Sequence, residues 1–195
     1  SIGLAAMSAA CPSPHDRDIA AIAARITRPV VLVGLMGVGK STVGRKLANL
    51  LHRDFVDADE AIAEAAQRSI PEIFETFGEA YFRDGERRVI ARLMEEGHGV
   101  IATGGGAFVD PSTRAAVLER GIAVWIDCDI DTLVERTSRR GNRPLLRRGN
   151  PHEILTRLAQ ERAPFYREAH IRVVSETGPH ADTARAIIEA IDKWL

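Results

Sequence analysis

The sequence predicts a three-layer α/β fold, with a five-stranded parallel sheet covered by helices on both faces. Three observations predict it. The strand-like runs are short, apolar and unbroken, as in Val30-Val31-Leu32-Val33, a pattern of strands buried on both faces. Segments of helical periodicity separate these runs, and strands joined by helices pair in parallel. The glycine clusters at 34–39 and 104–106, and the acids Asp57 and Asp59, all follow predicted strands. Ligands in such folds bind beyond the C-terminal strand ends, so these groups should meet at one edge.

Each element has a local reason. Residues 16–28 place Ile19, Ile22 and Ile26 on one helical face and stop before Pro29. Val30 to Val33 form the first strand, and Val43, Leu47, Leu50 and Leu51 mark the helix behind the glycine-rich break. Residues 55–57 read as a second strand and 59–67 as a helix. Ser69-Ile70-Pro71-Glu72 is a capping box that opens another helix. Val89, Ile90, Leu93 and Met94 are the buried stripe of a helix ending at Gly97. Residues 100–102 form the third strand, 111–120 a helix stopped by Gly121, and 123–128 the fourth strand, with Trp125 and Cys128 packing inward. Residues 131–140 are helical and 141–150 irregular. Residues 151–169 are helical with a break at Pro164. Residues 171–174 form the fifth strand, and 181–195 a closing helix with Ile187, Ile188 and Ile191 inward.

Composition narrows the function. The 195 residues suit one domain, since domains run to about 100–200 residues. Lys plus Arg is 26 and Asp plus Glu 27, a net charge of −1 that argues against general nucleic-acid binding. Two cysteines are too few for a disulfide framework, which fits the cytoplasm. No apolar run approaches the roughly 20 residues that span a bilayer. Residues 1–28 read as an N-terminal extension with a short amphipathic helix, without the basic start of a signal peptide, and 29–195 as the main domain.

Gly34-Leu35-Met36-Gly37-Val38-Gly39-Lys40-Ser41 fits the pattern G-x-x-x-x-G-K-[ST] in full, with a buried strand before it and a helix after it. Its glycines let backbone N–H groups turn toward phosphates, and the helix N-terminus adds its dipole. Gly37, Val38, Gly39, Lys40, Ser41 and Thr42 are therefore candidate nucleotide ligands. Lys40 would reach the β- and γ-phosphates and Ser41 would hold Mg²⁺. The motif points to a nucleoside triphosphate and leaves the acceptor open.

The stretch from Gly34 to Arg45 resembles the opening of shikimate kinases. The resemblance continues at Asp57-Ala58-Asp59, Phe82-Arg83-Asp84-Gly85-Glu86, Ala102-Thr103-Gly104-Gly105-Gly106, Arg143-Pro144-Leu145-Leu146 and Glu161-Arg162-Ala163-Pro164-Phe165-Tyr166. These blocks keep the family's order and about its spacing, from residue 29 to the end. The resemblance implies the three-layer P-loop kinase fold with a mobile lid near 138–150. It implies ATP-dependent phosphorylation of shikimate at its 3-hydroxyl, in the pathway to chorismate and the aromatic amino acids, by a monomer. The implied acceptor is a cyclic triol with a carboxylate, which suits planar guanidinium forks.

Residue by residue, the resemblance places Arg83 and Arg162 on the acceptor carboxylate, with Gly104, Gly105 and Gly106 beside them. Asp59 would contact the acceptor hydroxyls as base or orienting group; alternatively it is only the N-cap of the next helix. Asp57 corresponds to the acid near Mg²⁺, and Arg136 to an arginine stacked on adenine. Residues 138–150 hold five arginines, at 139, 140, 143, 147 and 148, and no acid. Among them Arg143 would swing onto the phosphates. The competing expectations are a P-loop kinase for another polyol such as gluconate, a nucleoside monophosphate kinase, and a non-catalytic ATP-binding regulator.

Overall fold

The structure is a computed structural model, and it describes residues 14–140, 149–176 and 178–195. Five strands run parallel: β1 (Val30–Val33), β2 (Phe55–Asp57), β3 (Val100–Ala102), β4 (Ile122–Asp127) and β5 (Ile171–Val174), in the order β2-β3-β1-β4-β5. The central β1 is flanked by β3 and β4, with Leu32 level with Ala102 on one side and Val124 on the other. All four residues of β1 are buried, as its apolar run requires. The chain leaves β1 toward one edge and later crosses to the other. The C-terminal end of β1 is thus a topological switch point, where open α/β sheets leave a crevice.

Nine helices cover the sheet among the described residues: α1 (Pro14–Arg25), α2 (Lys40–Leu51), α3 (Ala58–Ala66), α4 (Ile70–Phe77), α5 (Glu79–Glu95), α6 (Pro111–Arg120), α7 (Ile130–Arg140), α8 (Pro151–Tyr166) and α9 (His180–Trp194). One 3₁₀ turn, Ala107–Val109, follows the glycine run. The caps explain most boundaries. Ser69 Oγ accepts from Glu72 N at 3.3 Å and opens α4, while Asp110 Oδ2 accepts from Thr113 N at 2.9 Å and opens α6. Gly97, at φ 80°, follows α5.

Several boundaries differ from the sequence reading. The first helix ends at Arg25 rather than at residue 28, and Ile26 turns inward, 3 % exposed, through a bond from its N–H to the Ala23 carbonyl. Arg53 Nη2 caps that end by donating to the carbonyls of Ala23 and Ile26, at 2.7 and 2.8 Å. The expected break at Pro164 does not occur, because α8 runs through it to Tyr166. One missing backbone donor is outweighed where both flanks of a helix are packed; Leu155 and Tyr166 are buried on either side of it. The fourth strand begins at Ile122, one residue earlier than expected. Trp125 and Cys128 are buried, as the apolar pattern indicated.

Candidate active site

The phosphate loop leaves β1 at Gly34 and ends at Gly39, the N-cap of α2. Gly37 and Gly39 take φ values of 87° and 90°, the left-handed region that side chains avoid. Neither could carry a Cβ in any case: at Gly37 it would stand 2.6 Å from Thr137 Cγ2, and at Gly39 2.8 Å from His180 Cε1. The loop is therefore gripped by α7 on one side and by α9 on the other. The backbone N–H groups of the first turn of α2 have no intrahelical partner, which makes this helix end an anion site. Lys40 is 8 % exposed, and its Nζ donates to the carbonyls of Gly34 and Leu35, at 2.6 and 2.8 Å. The ammonium thus sits inside the loop it serves.

Ser41 and Asp57 come together across the loop and the end of β2, with Ser41 Oγ donating to Asp57 Oδ2 at 2.5 Å. The other Asp57 oxygen caps α3, accepting from Asp59 N at 2.9 Å and Glu60 N at 3.2 Å. Asp57, not Asp59, is therefore the helix cap, and the capping alternative for Asp59 is overturned. The Asp59 carboxylate faces the glycine run instead. A cleft of about 170 Å³ is lined by Met36, Gly37, Gly39, Lys40, Ser41, Asp57, Asp59, Thr103, Gly104 and Gly105. Thr103 fixes its floor, donating from Oγ1 to the Leu32 carbonyl at 2.7 Å.

The three glycines after Thr103 each face one of the expected acceptor-binding side chains. A Cβ on Gly104 would lie 2.8 Å from Asp59 Oδ1, one on Gly105 3.2 Å from Arg162 Nη1, and one on Gly106 2.3 Å from Arg83 Nη2. Two cations and an anion from three separate helices thus close on one stretch of bare backbone. Arg162 Nη1 is buried and has no hydrogen-bond partner among the described residues. An orphaned buried guanidinium nitrogen is costly unless an acceptor meets it, so the spot fits an anionic group.

A model of the shikimate kinase family matches residues 36–192. The chain belongs to this family. A shikimate kinase of Novosphingobium aromaticivorans is 65 % identical over 182 residues, covering 91 % of this chain and 94 % of the relative. One from Rhodopseudomonas palustris is 47 % identical, covering 96 % of this chain and 92 % of the relative. A solved shikimate kinase of Acinetobacter baumannii, in complex with shikimate, is 40 % identical with a TM-score of 0.79, covering 87 % of this chain and 96 % of that one. The chain is thus a kinase, a phosphotransferase, on the family's three-layer α/β fold.

Within this shikimate kinase fold, Arg136 lies where α7 passes the phosphate loop. Its Nη1 donates to the Val38 carbonyl at 3.0 Å and its Nη2 to the Glu176 carbonyl at 2.9 Å. The guanidinium so joins the loop to the segment between β5 and α9. Arg143, and with it residues 141–148 of the expected lid, lies outside the described residues. Among the described residues no helix is long and apolar enough to cross a membrane.

Two functional neighbours were missed from sequence. Glu86, 1 % exposed, accepts from Arg83 Nη1 at 2.8 Å, and burial raises its pKa although Arg83 pulls the other way. Its signal was available: Glu86 lies on the apolar stripe of α5 with Phe82, Val89, Ile90 and Leu93, where a carboxylate needs a reason. The Tyr166 hydroxyl donates to the Gly105 carbonyl at 2.5 Å, and burial raises its pKa although the Arg162 charge pulls the other way. No local pattern marks that contact, which joins residues 61 positions apart.

Proposed function

We propose that this enzyme moves the γ-phosphoryl group of ATP onto the 3-hydroxyl of shikimate, giving shikimate 3-phosphate and ADP. The observation that carries the reading is the apposition of Asp59, Arg162 and Arg83 to Gly104, Gly105 and Gly106, next to a complete phosphate loop. Shikimate offers a carboxylate for the two guanidinium forks and hydroxyls for the Asp59 carboxylate.

The residues divide the work. Gly37, Val38, Gly39, Ser41 and Thr42 cradle the nucleotide phosphates through the loop and the first turn of α2. Lys40 holds its charge against the phosphoryl being transferred, where negative charge is spread in the transition state. Arg83 and Arg162 hold the acceptor by its carboxylate, and Asp59 orients the attacking hydroxyl and accepts its proton. Gly104, Gly105 and Gly106 let the acceptor approach bare backbone. Arg136 binds the adenine side of the nucleotide, and Arg143 completes the phosphate contacts from the lid. Orientation is the larger effect, since phosphoryl transfer asks little of a base early on.

Mg²⁺ fits beside Ser41 and Asp57, because their hard oxygens stand together at the mouth of the loop. Among the described residues no group of three or more His, Cys, Asp or Glu side chains could hold a metal by itself, so phosphate oxygens and water would complete the shell. When bound, the cation offsets phosphate charge. The enzyme acts as a cytoplasmic monomer in the route to chorismate and aromatic amino acids.

A coupled ADP-release assay tests the reading. Turnover is expected with shikimate, ATP and Mg²⁺ together, and background alone when gluconate replaces shikimate. ADP release that is indifferent to shikimate would overturn it.

A further inference from the structure

The two guanidinium forks reach the glycine run from different helices, and their spacing has to be set by something. We infer that Arg114 is a positioning residue for the acceptor site, fastening the turn after Gly106 to the end of the helix that carries Arg162. The inference rests on the reading that Arg83 and Arg162 bind the acceptor carboxylate.

Arg114 lies in the first turn of α6, and its side chain is 15 % exposed. Its Nη1 donates to the carbonyls of Phe108 and Val109, at 3.2 and 3.1 Å. Those residues belong to the 3₁₀ turn that hangs from the glycine run, with Ala107 N donating to the Gly104 carbonyl and Val109 N to that of Gly106, both at 3.2 Å. On its other edge Arg114 Nε reaches Glu168 Oε2 at 2.8 Å, and the guanidinium lies 5.0 Å from the Phe165 ring centroid. Phe165 and Glu168 flank Tyr166, the last residue of α8, one turn beyond Arg162.

One planar fork thus holds both sides of the acceptor site. The Tyr166 bond to Gly105 is a second bridge across the same gap. A lysine has one nitrogen and cannot satisfy two carbonyls and a carboxylate in that plane. If the Arg114 bridge slackens, Arg162 shifts relative to Arg83, which abuts Gly106. Two forks that must converge on one carboxylate tolerate little misplacement. The bonds of Arg114 end on the 3₁₀ turn and on Glu168, not on the phosphate loop, so nucleotide binding should feel the change far less than acceptor binding.

The test is titration of shikimate and ATP separately against the full chain and five variants. Glu168→Ala removes only the tie to α8 at a half-exposed position, and should weaken shikimate binding about three- to tenfold, the size of one lost charged hydrogen bond. Arg114→Ala should cost shikimate binding about tenfold or more, and Arg114→Lys nearly as much, because both lose the fork. The double variant Arg114→Ala/Glu168→Ala should be no worse than Arg114→Ala alone, since one link is broken twice. ATP affinity should stay within about twofold throughout. Unchanged shikimate affinity in Glu168→Ala and Arg114→Lys overturns the inference, as does equal weakening of both ligands, which would mean general loosening. If Arg114→Ala does not fold, those two variants still decide. Arg162→Lys serves as the reference: full shikimate affinity there overturns the carboxylate reading itself, and the inference with it.

Discussion

Arg83 and Glu86 meet at 2.8 Å across one turn of α5, with the carboxylate 1 % exposed and the guanidinium 24 % exposed. The acid is the buried member, so it anchors the arginine and leaves the fork's outer edge toward Gly106. Glu86→Ala should weaken shikimate binding about tenfold, because a freed Arg83 can turn toward Glu79, now 3.7 Å away. Glu86→Gln keeps the shape and should cost less. Separate titrations of shikimate and ATP check both.

The same carboxyl has a pH signature. Its pKa is raised from the ordinary 4.5, so its stabilising contribution is present below 4.5 and lost as pH rises through the folded value. The stability of Glu86→Gln relative to the parent should therefore climb with pH above 4.5. Urea unfolding across a pH series measures it. A flat difference would show that Arg83 fully offsets the burial.

Lys40→Ala should lower turnover by hundreds-fold, as expected for about 3–4 kcal/mol of lost transition-state charge stabilisation. The variant also frees the Gly34 and Leu35 carbonyls that Nζ now holds. Shikimate affinity, measured without nucleotide, should stay near that of the parent. Near-normal turnover would remove Lys40 from the mechanism.

Gly106→Ala should mimic the loss of Arg83. The new methyl would lie 2.3 Å from Arg83 Nη2 and 2.8 Å from its Cζ, and Glu86 limits where the guanidinium can retreat. Shikimate KM should rise while ATP KM holds. Arg83→Ala and Arg162→Ala should give the same split, and pairing Gly106→Ala with Arg83→Ala should add little.

At the opposite end of the sheet His98 lies between two acids, 2.5 Å from Asp54 Oδ2 and 2.9 Å from Glu96 Oε2. The hydrogen bond to Asp54 is the main cause that raises the His98 pKa and lowers that of Asp54. The His98 contribution is present below its ordinary 6.5 and lost as pH rises through the folded value. That of Asp54 is present above its ordinary 3.8 and lost as pH falls through the folded value. The pair stabilises most between those limits. His98→Gln should cost up to about 1 kcal/mol near pH 5 and less near pH 9, since exposed pairs are weak. Melting temperatures at the two pH values check the sign.

Elements whose cause is local are legible in the residue order. The four apolar residues of β1, the glycine pattern of the phosphate loop and the Ser69 cap each depend on neighbours a few residues away, so periodicity and turn chemistry display them. The family motifs marked Asp59, Arg83 and Arg162 as a set. How that set is held follows from the packing of the elements. Asp57 rather than Asp59 caps α3, because β2 ends beside Ser41. The chain runs helical through Pro164 because both ends of α8 are packed. Tyr166 on Gly105 and Arg114 between Val109 and Glu168 became neighbours only when the sheet order brought the strand ends together. Contacts between residues far apart along the chain follow from how strands are ordered and helices packed, and no local pattern records them.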